Sequence, residues 1–125
     1  MKIRLGNTFN RTWTFYNPLS ADPRSPDNKK PNYASPINLS GVTIVFVIEQ
    51  GKTASKTYPA DGGTLQITPL AGKIEVEIPP SSLSGFKETT GPDTTGACYL
   101  QFTYSDGDVK TKAREDVLFI TKSGK

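Results

Sequence analysis

The stretch Lys73-Ile74-Glu75-Val76-Glu77-Ile78 alternates charged and apolar side chains without a break. Because successive side chains of a β-strand point to opposite faces, this period of two predicts a strand with Ile74, Val76 and Ile78 facing inward. The segment from Ala97 to Tyr104 repeats the pattern with bulkier residues. The two stretches together indicate an all-β chain.

Working outward from these stretches, further short runs of β-branched and aromatic residues predict more strands. They lie at Thr8–Tyr16, Val42–Glu49, Ser55–Tyr58, Leu65–Thr68, Val109–Lys112 and Val117–Thr121. The last two are predicted to form one long, bent strand after a hairpin turn at Ser105-Asp106-Gly107-Asp108. Pro79–Phe86 is predicted to form one helical turn, capped by Ser81 or Ser82. About seven strands at this spacing predict an immunoglobulin-like antiparallel β-sandwich.

The composition favours the same class. The chain has 125 residues, with 11 glycines, 10 prolines and a hydrophobic fraction of 34%, which fits many turns and one small core. We therefore expect a single domain over residues 1–125. The formal net charge of +3 rests on 15 basic and 12 acidic residues, so a nucleic-acid partner is not expected. The amino terminus has no apolar core of a signal peptide and the sequence has no membrane-length apolar run, so secretion and membrane insertion are not expected.

One segment follows no strand period. Asn17–Pro36 contains five prolines among polar and charged residues, and this composition predicts a long, exposed, Pro-rich loop that stays outside the central sheets. A chain stiffened by proline loses little entropy on docking, so the loop is the candidate partner-binding segment. Its predicted contact residues are two apolar anchors and three cations that set the register. They are Tyr33, Ile37, Arg24, Lys29 and Lys30.

Residues for catalysis are few. The chain has no histidine, which removes the commonest general base and metal ligand. Its single cysteine, Cys98, lies on the apolar face of a predicted strand and is interpreted as core. Glu75 and Glu77 share a strand face about 7 Å apart, a spacing that also suits glycosidases, but an exposed strand face explains them better. We expect no enzyme activity, no cofactor and no metal.

Three other patterns have ordinary structural explanations. Gly51-Lys52-Thr53 resembles the end of a phosphate-binding loop, but the earlier glycine is missing and no helix is predicted to follow. The turn aspartates are interpreted as turn formers rather than calcium ligands. These are Asp61, Asp106 and Asp108. The aromatic residues Trp13, Phe15 and Tyr16 are interpreted as core rather than as a stacking platform for nucleic acid or sugar.

Five sequence pieces resemble a known family, the immunoglobulin-like domains of tailed-phage baseplate and tail-fibre proteins, which are similar to the amino-terminal domain of upper baseplate proteins. The pieces are Gly6-Asn7-Thr8-Phe9, Ile37-Asn38-Leu39-Ser40-Gly41, Gly72-Lys73-Ile74-Glu75-Val76, Gly96-Ala97-Cys98-Tyr99-Leu100-Gln101-Phe102 and Ser105-Asp106-Gly107-Asp108-Val109-Lys110. The chain departs from the pattern at the Pro-rich segment, where a short hairpin is expected, and in ending soon after its last strand.

The resemblance implies a structural role. Such domains attach one virion part to another, so the implied function is a non-enzymatic assembly module of a bacteriophage baseplate, tail or fibre. The implied partners are other virion subunits, with homo-oligomers as a further expectation, and the implied location is the virion, after synthesis in the bacterial cytoplasm. The alternative function is a carbohydrate- or host-receptor-binding β-sandwich.

Overall fold

The computed structural model describes residues 1–52, 54–91 and 94–120, and within them the chain forms ten strands. The strands are β1 (Lys2–Arg4), β2 (Phe9–Thr14), β3 (Tyr16–Pro18), β4 (Pro31–Pro36), β5 (Thr43–Gln50), β6 (Ala54–Tyr58), β7 (Thr64–Thr68), β8 (Lys73–Ile78), β9 (Gly96–Thr103) and β10 (Val109–Ile120). The same described ranges hold three short 3-10 helices, Pro26–Lys29, Pro69–Ala71 and Pro80–Leu83.

The strands form three sheets. A five-stranded sheet has the order β1-β10-β9-β5-β6, a three-stranded sheet the order β2-β8-β7, and β3 pairs with β4 alone. The prediction of an all-β chain is confirmed, although the described residues hold ten strands rather than about seven. One pairing is not antiparallel, because β1 runs parallel to β10 with Ile3 opposite Phe119. Both of these side chains are fully buried, and their burial explains why so short a strand docks there.

The two strands with the clearest alternation form as predicted. On β8 the exposed fractions of Ile74, Val76 and Ile78 are 2% or less, and on β9 the alternate apolar side chains from Cys98 to Phe102 are also buried. The period of two correctly identified which face of each strand contacts the core.

The core lies between the five-stranded and the three-stranded sheets. Phe46 of β5 is fully buried and stacks on Phe9 of β2, with ring centroids 5.7 Å apart. It also contacts Trp13 of β2 at 5.1 Å and Tyr58 of β6 at 6.4 Å. Because these aromatic pairs join strands of both sheets, the sheets face one another across a shared apolar layer.

The last strand is long and bent, as predicted. β10 pairs with β9 after the hairpin turn, and its register shifts between Lys112 and Glu115. Ala113, inside the shift, has a φ of 55°, a left-handed conformation typical of β-bulges. The bend therefore has a defined position. The final residue of the predicted strand, Thr121, lies outside the described residues.

The predicted helical turn is present, but its predicted cap is wrong. Leu83 and Phe86 are buried as expected. Neither Ser81 nor Ser82 caps the 3-10 helix, which has no side-chain cap and begins at Pro80. Proline has no N–H group that needs an acceptor, so the first turn forms without a capping side chain.

The structure also corrects the loop prediction for Asn17–Pro36. No residue in this range is buried, yet both of its ends form strands rather than irregular loop. The resulting β3–β4 ribbon is separate from the two larger sheets. A two-stranded ribbon tolerates proline because the N–H groups on its outer edges have no partner strand to bind.

Candidate interaction surface

The β3–β4 ribbon is held together by bonds along its length. Tyr16 lies opposite Pro36, and Pro18 lies opposite Pro31. The side chain of Asn17 donates to Ser35 Oγ at 3.0 Å, which joins the two strands between those pairs. The ribbon is therefore ordered by pairing, not by burial.

The tip of the ribbon, residues 19–30, is organised by local polar contacts. The backbone N–H of Leu19 donates to the carbonyl of Lys30 at 3.0 Å and closes the tip. Within it, Ser25 Oγ accepts from Asp27 N–H at 3.2 Å and caps the 3-10 helix. Asn28 Nδ2 donates to the carbonyl of Ser20 at 3.1 Å. These turn bonds hold the tip together without an apolar core of its own.

The base of the ribbon is anchored to the main body. Phe15 N–H donates to the carbonyl of Gly72, and Ile37 N–H donates to the carbonyl of Phe15, each at 2.9 Å. Gly72 has a φ of +61°, and a Cβ at this position would overlap Phe15 O. Phe15 packs edge-on against Phe102 in the core, with centroids 5.5 Å apart. The ribbon thus projects from a base that is bonded to and packed against the main body.

This anchoring changes the predicted role of Ile37. The sequence predicts it as an exposed apolar anchor for a partner, but its side chain is partly buried and packs against the core. The reason is its position one residue after β4, where the chain re-enters the main body. Ile37 therefore stabilises the ribbon base and has little surface left for a partner.

Tyr33 does have the exposure expected of an anchor. Its exposed fraction is 75%, the highest among the large hydrophobic residues that the structure describes as exposed. Its ring meets Tyr16 edge-on, with centroids 5.0 Å apart. Leu19 is 52% exposed at the start of the tip. We call Tyr16, Leu19 and Tyr33 the ribbon patch.

The three predicted cations lie around the tip. The Arg24 side chain is 94% exposed and its Nε is 3.8 Å from Asp22 Oδ1. Lys30 Nζ is 3.2 Å from Asp27 Oδ1. Lys29 is also exposed. Exposed ion pairs of this kind contribute little to stability, so the charges remain open to a partner.

The aromatic residues of the first strands do not form a stacking platform. Trp13 is only 9% exposed and lies between the sheets, while Phe15 is partly buried at the ribbon base. Only Tyr16 lies on the ribbon. Trp13 is therefore a core residue, as the sequence predicts.

The two strand glutamates lie on the outer face of the three-stranded sheet. Glu75 sits between Thr12 and Gln66, and Glu77 sits between Asn10 and Thr64. A shallow depression runs along these residues. Lys73 Nζ is 3.0 Å from Glu75 Oε1, so these two side chains form an ion pair on this polar face.

Cys98 is fully buried, and its burial raises the pKa of the thiol to about 11. Such a thiol is almost entirely protonated near neutral pH. Gly51 and Lys52 form a turn that leads to strand β6 rather than to a helix, and Thr53 lies outside the described residues.

Turn geometry accounts for two of the aspartates. Asp61 Oδ2 accepts from Thr57 N–H at 2.7 Å, and Asp106 Oδ1 accepts from Asp108 N–H at 2.9 Å. Among the residues that the structure describes, no three histidine, cysteine or acidic side chains are grouped closely enough to hold a metal ion. No helix within the described ranges is long and apolar enough to span a membrane.

Sequence reasoning missed one structural residue, Gln50. The predicted strand Val42–Glu49 ends one residue before it, but β5 continues through it and only 2% of it is exposed. Its Nε2 donates to the carbonyls of Lys87 and Thr94, at 2.6 and 2.9 Å, and its Oε1 accepts from Lys87 N–H at 2.9 Å. A polar residue that ends a strand gives no sequence signal for this role.

Comparison with known proteins gives no family assignment: no protein-family model matches the chain, and no curated protein sequence matches it.

Proposed function

We propose that this chain is a non-enzymatic structural module of a tailed-phage virion, an immunoglobulin-like β-sandwich that binds other virion subunits through the β3–β4 ribbon. The observation that carries the proposal is the ribbon itself, which projects from an anchored base, has no buried residue and exposes Tyr33. A fold does not specify a function, so the proposal rests on this surface together with the sequence resemblance.

The ribbon has the physical properties of a docking element. Its strand pairing and tip bonds fix its shape before any partner arrives, so little conformational entropy is lost on binding. Tyrosine is enriched among residues that dominate binding energy, because it contributes a large, rigid, partly apolar surface. The surrounding cations favour a partner with an acidic surface and steer its orientation.

The two facing sheets support the sandwich part of the proposal. Their shared aromatic layer and the hairpin between β9 and β10 are features that immunoglobulin-like sandwiches also have. The outer face of the three-stranded sheet carries polar residues, so this face does not compete with the ribbon patch for apolar contacts.

The absence of histidine from the sequence and the burial of Cys98 support a non-enzymatic role. On this proposal the protein is made in the host bacterial cytoplasm and becomes part of the virion. Its partners are other virion subunits, including further copies of itself.

Replacement of Leu19–Ser35 by a short Gly-Ser linker tests the proposal. Because the segment adds no buried residue, we expect the melting temperature to stay within about 5 °C of the parent. We expect incorporation into phage particles, measured after expression in infected cells, to fall at least tenfold. Unchanged incorporation of the shortened, folded chain would refute the role of the ribbon.

A charge-matched pair of variants separates the ribbon from general electrostatics. One variant changes the three ribbon cations to serine, and the other changes three exposed lysines elsewhere. The two sets are Arg24, Lys29 and Lys30, and Lys2, Lys52 and Lys110. Both variants lose three positive charges, but only the first should reduce incorporation. Equal losses would show that net charge, not the ribbon, determines binding.

The exposed Tyr16–Tyr33 pair also favours a second candidate, a carbohydrate- or host-receptor-binding module, because exposed rings stack on sugars. Tyr33→Ala is the informative change, since Trp13 is buried and its replacement would damage the core. Glycan-array binding that disappears in Tyr33→Ala would support this alternative. An array without any signal would reject it.

A further inference from the structure

The four edge strands of the two larger sheets are not equivalent. β1 and β6 end the five-stranded sheet, and β2 and β7 end the three-stranded sheet. An edge strand exposes unpaired N–H and C=O groups, and proteins usually protect such edges with charges or covering contacts. Three of the four edges here have such protection.

The protected edges each carry a charged residue. On β6, Thr57 donates its N–H to Asp61 Oδ2 at 2.7 Å and accepts from Asp61 N–H at 2.8 Å, so the outer edge is already bonded there. β6 also has Lys56 at its centre. β1 consists of an isoleucine between a lysine and an arginine. β2 is linked to β10 of the facing sheet by the Arg11–Glu115 ion pair at 2.9 Å.

The fourth edge, β7, has no such protection. Its sequence, Thr64-Leu65-Gln66-Ile67-Thr68, contains no charge and no proline, and its register with β8 is regular. Outside the β7–β8 ladder, no backbone hydrogen bond found in the described part of the chain involves these five residues. Thr64, Gln66 and Thr68 are exposed, so the strand is accessible to another chain.

The sequence of β7 is also self-complementary. Read in either direction, it gives threonine, a branched aliphatic residue, glutamine, a branched aliphatic residue and threonine. We propose that β7 is a homodimerisation edge, at which two copies of this chain pair antiparallel about a two-fold axis through Gln66. Thr64 then lies opposite Thr68, and Leu65 opposite Ile67 of the second copy, while the two Gln66 residues face each other.

Charge favours this edge over β1 and β6 for self-pairing. The same two-fold operation on β6 would place Lys56 against its own copy, and on β1 it would place Lys2 against Arg4. Like charges directly opposite each other destabilise a strand pair, whereas the β7 pairing opposes none. In the proposed dimer the two three-stranded sheets join into one continuous six-stranded sheet of order β2-β8-β7-β7-β8-β2.

The dimer is expected to be weak. A five-residue edge buries less surface than a standard stable interface, so we expect a Kd on the order of 100 µM. It does not use the ribbon, and its failure would leave the proposed binding of other virion subunits through the ribbon untouched.

Charge substitution at Gln66 tests the two-fold axis directly. Gln66→Lys and Gln66→Glu should each weaken self-association at least tenfold, because the axis places two identical charges face to face. An equimolar mixture of the two proteins should recover or exceed the parent association, because opposite charges then meet. Sedimentation velocity at several concentrations measures all three samples, with circular dichroism as a check on folding.

Thr12 provides the matched control. It lies in the same cross-strand row as Gln66, on the far side of Glu75, so Thr12→Lys and Thr12→Glu place the same charges beside the same neighbour but away from the axis. Neither change should alter self-association. The proposal is overturned if the parent is monomeric at millimolar concentration, if the Gln66 variants associate like the parent, or if their mixture does not recover association.

Discussion

Gln50→Leu removes the side chain that ties β5 to the segment after the third 3-10 helix while keeping a similar volume. Among the described residues, Gln50 Nε2 donates to the carbonyls of Lys87 and Thr94 and its Oε1 accepts from Lys87 N–H, which gives three side-chain hydrogen bonds. Leucine makes none of them, and the site is only 2% exposed, so water has little access to the groups left behind.

The expected cost follows from those three bonds. A neutral hydrogen bond contributes about 1 kcal/mol net, and a buried group left unsatisfied costs somewhat more, so the free energy of unfolding should fall by about 3 kcal/mol. For a chain of this size that corresponds to a decrease in melting temperature of roughly 10 °C. Because the total free energy of unfolding of a small domain is only about 5–15 kcal/mol, this loss is large but leaves the protein folded.

Urea denaturation followed by circular dichroism measures the loss, and amide hydrogen exchange at Lys87 reports whether the segment has been released. Gln101→Leu is the control, since Gln101 lies half-buried on the adjacent strand β9, and it should change stability by no more than about 0.5 kcal/mol. A loss below about 1 kcal/mol for Gln50→Leu, or unchanged exchange at Lys87, would refute this role of Gln50.

Three further changes test the described packing. Burial raises the pKa of the Cys98 thiol to about 11 in the folded chain. In the unfolded chain the pKa of a thiol is about 8.5–9. The contribution of this group to the free energy of unfolding should therefore be fully present below about pH 8 and be lost between about pH 9 and 11. Cys98→Ala should reduce that loss by up to about 2 kcal/mol in denaturant titrations. A double-mutant cycle on Arg11 and Glu115 should give a coupling of at most about 1 kcal/mol, because both side chains are over one-third exposed; a much larger value would contradict the exposed geometry. Tyr58→Phe should cost about 1 kcal/mol in thermal unfolding, because it removes the 2.7 Å bond from the hydroxyl to the carbonyl of Ser82. A neutral Tyr58→Phe variant would argue against that bond.

The sequence predicted the strands whose burial is local and periodic. In β8 and β9 each side chain alternates between core and surface, so the pattern alone identifies the strand and its inward face. The long, bent β10 was also predicted, because Asp-Gly at the preceding turn and two β-branched runs identify a hairpin.

The elements that were missed depend on long-range pairing. β1 has one apolar residue, Ile3, and forms only because the chain brings it beside Phe119 near the other end. The prolines of the ribbon strands interrupt the period of two that would identify a strand. Their pairing, with Tyr16 opposite Pro36, is seen only in the structure. Such contacts carry no local sequence signal.

The candidate site was predicted in part. The predicted exposure of Asn17–Pro36, including Tyr33 and Arg24, agrees with the structure, whereas its binding role stays a prediction. Ile37 is partly buried and packs against the core, because the chain re-enters the main body there, and nothing in the sequence shows this.

Photo-cross-linking from position 33 in purified phage particles tests the proposed virion role most directly. A photoreactive amino acid replaces Tyr33, the exposed ring of the ribbon patch. The phage particles are purified from infected cells that express this variant chain. We predict that the chain is present in the particles and that mass spectrometry finds it cross-linked to another virion subunit. Absence of the chain from the particles, or its presence without any cross-link from position 33, would contradict the proposed function.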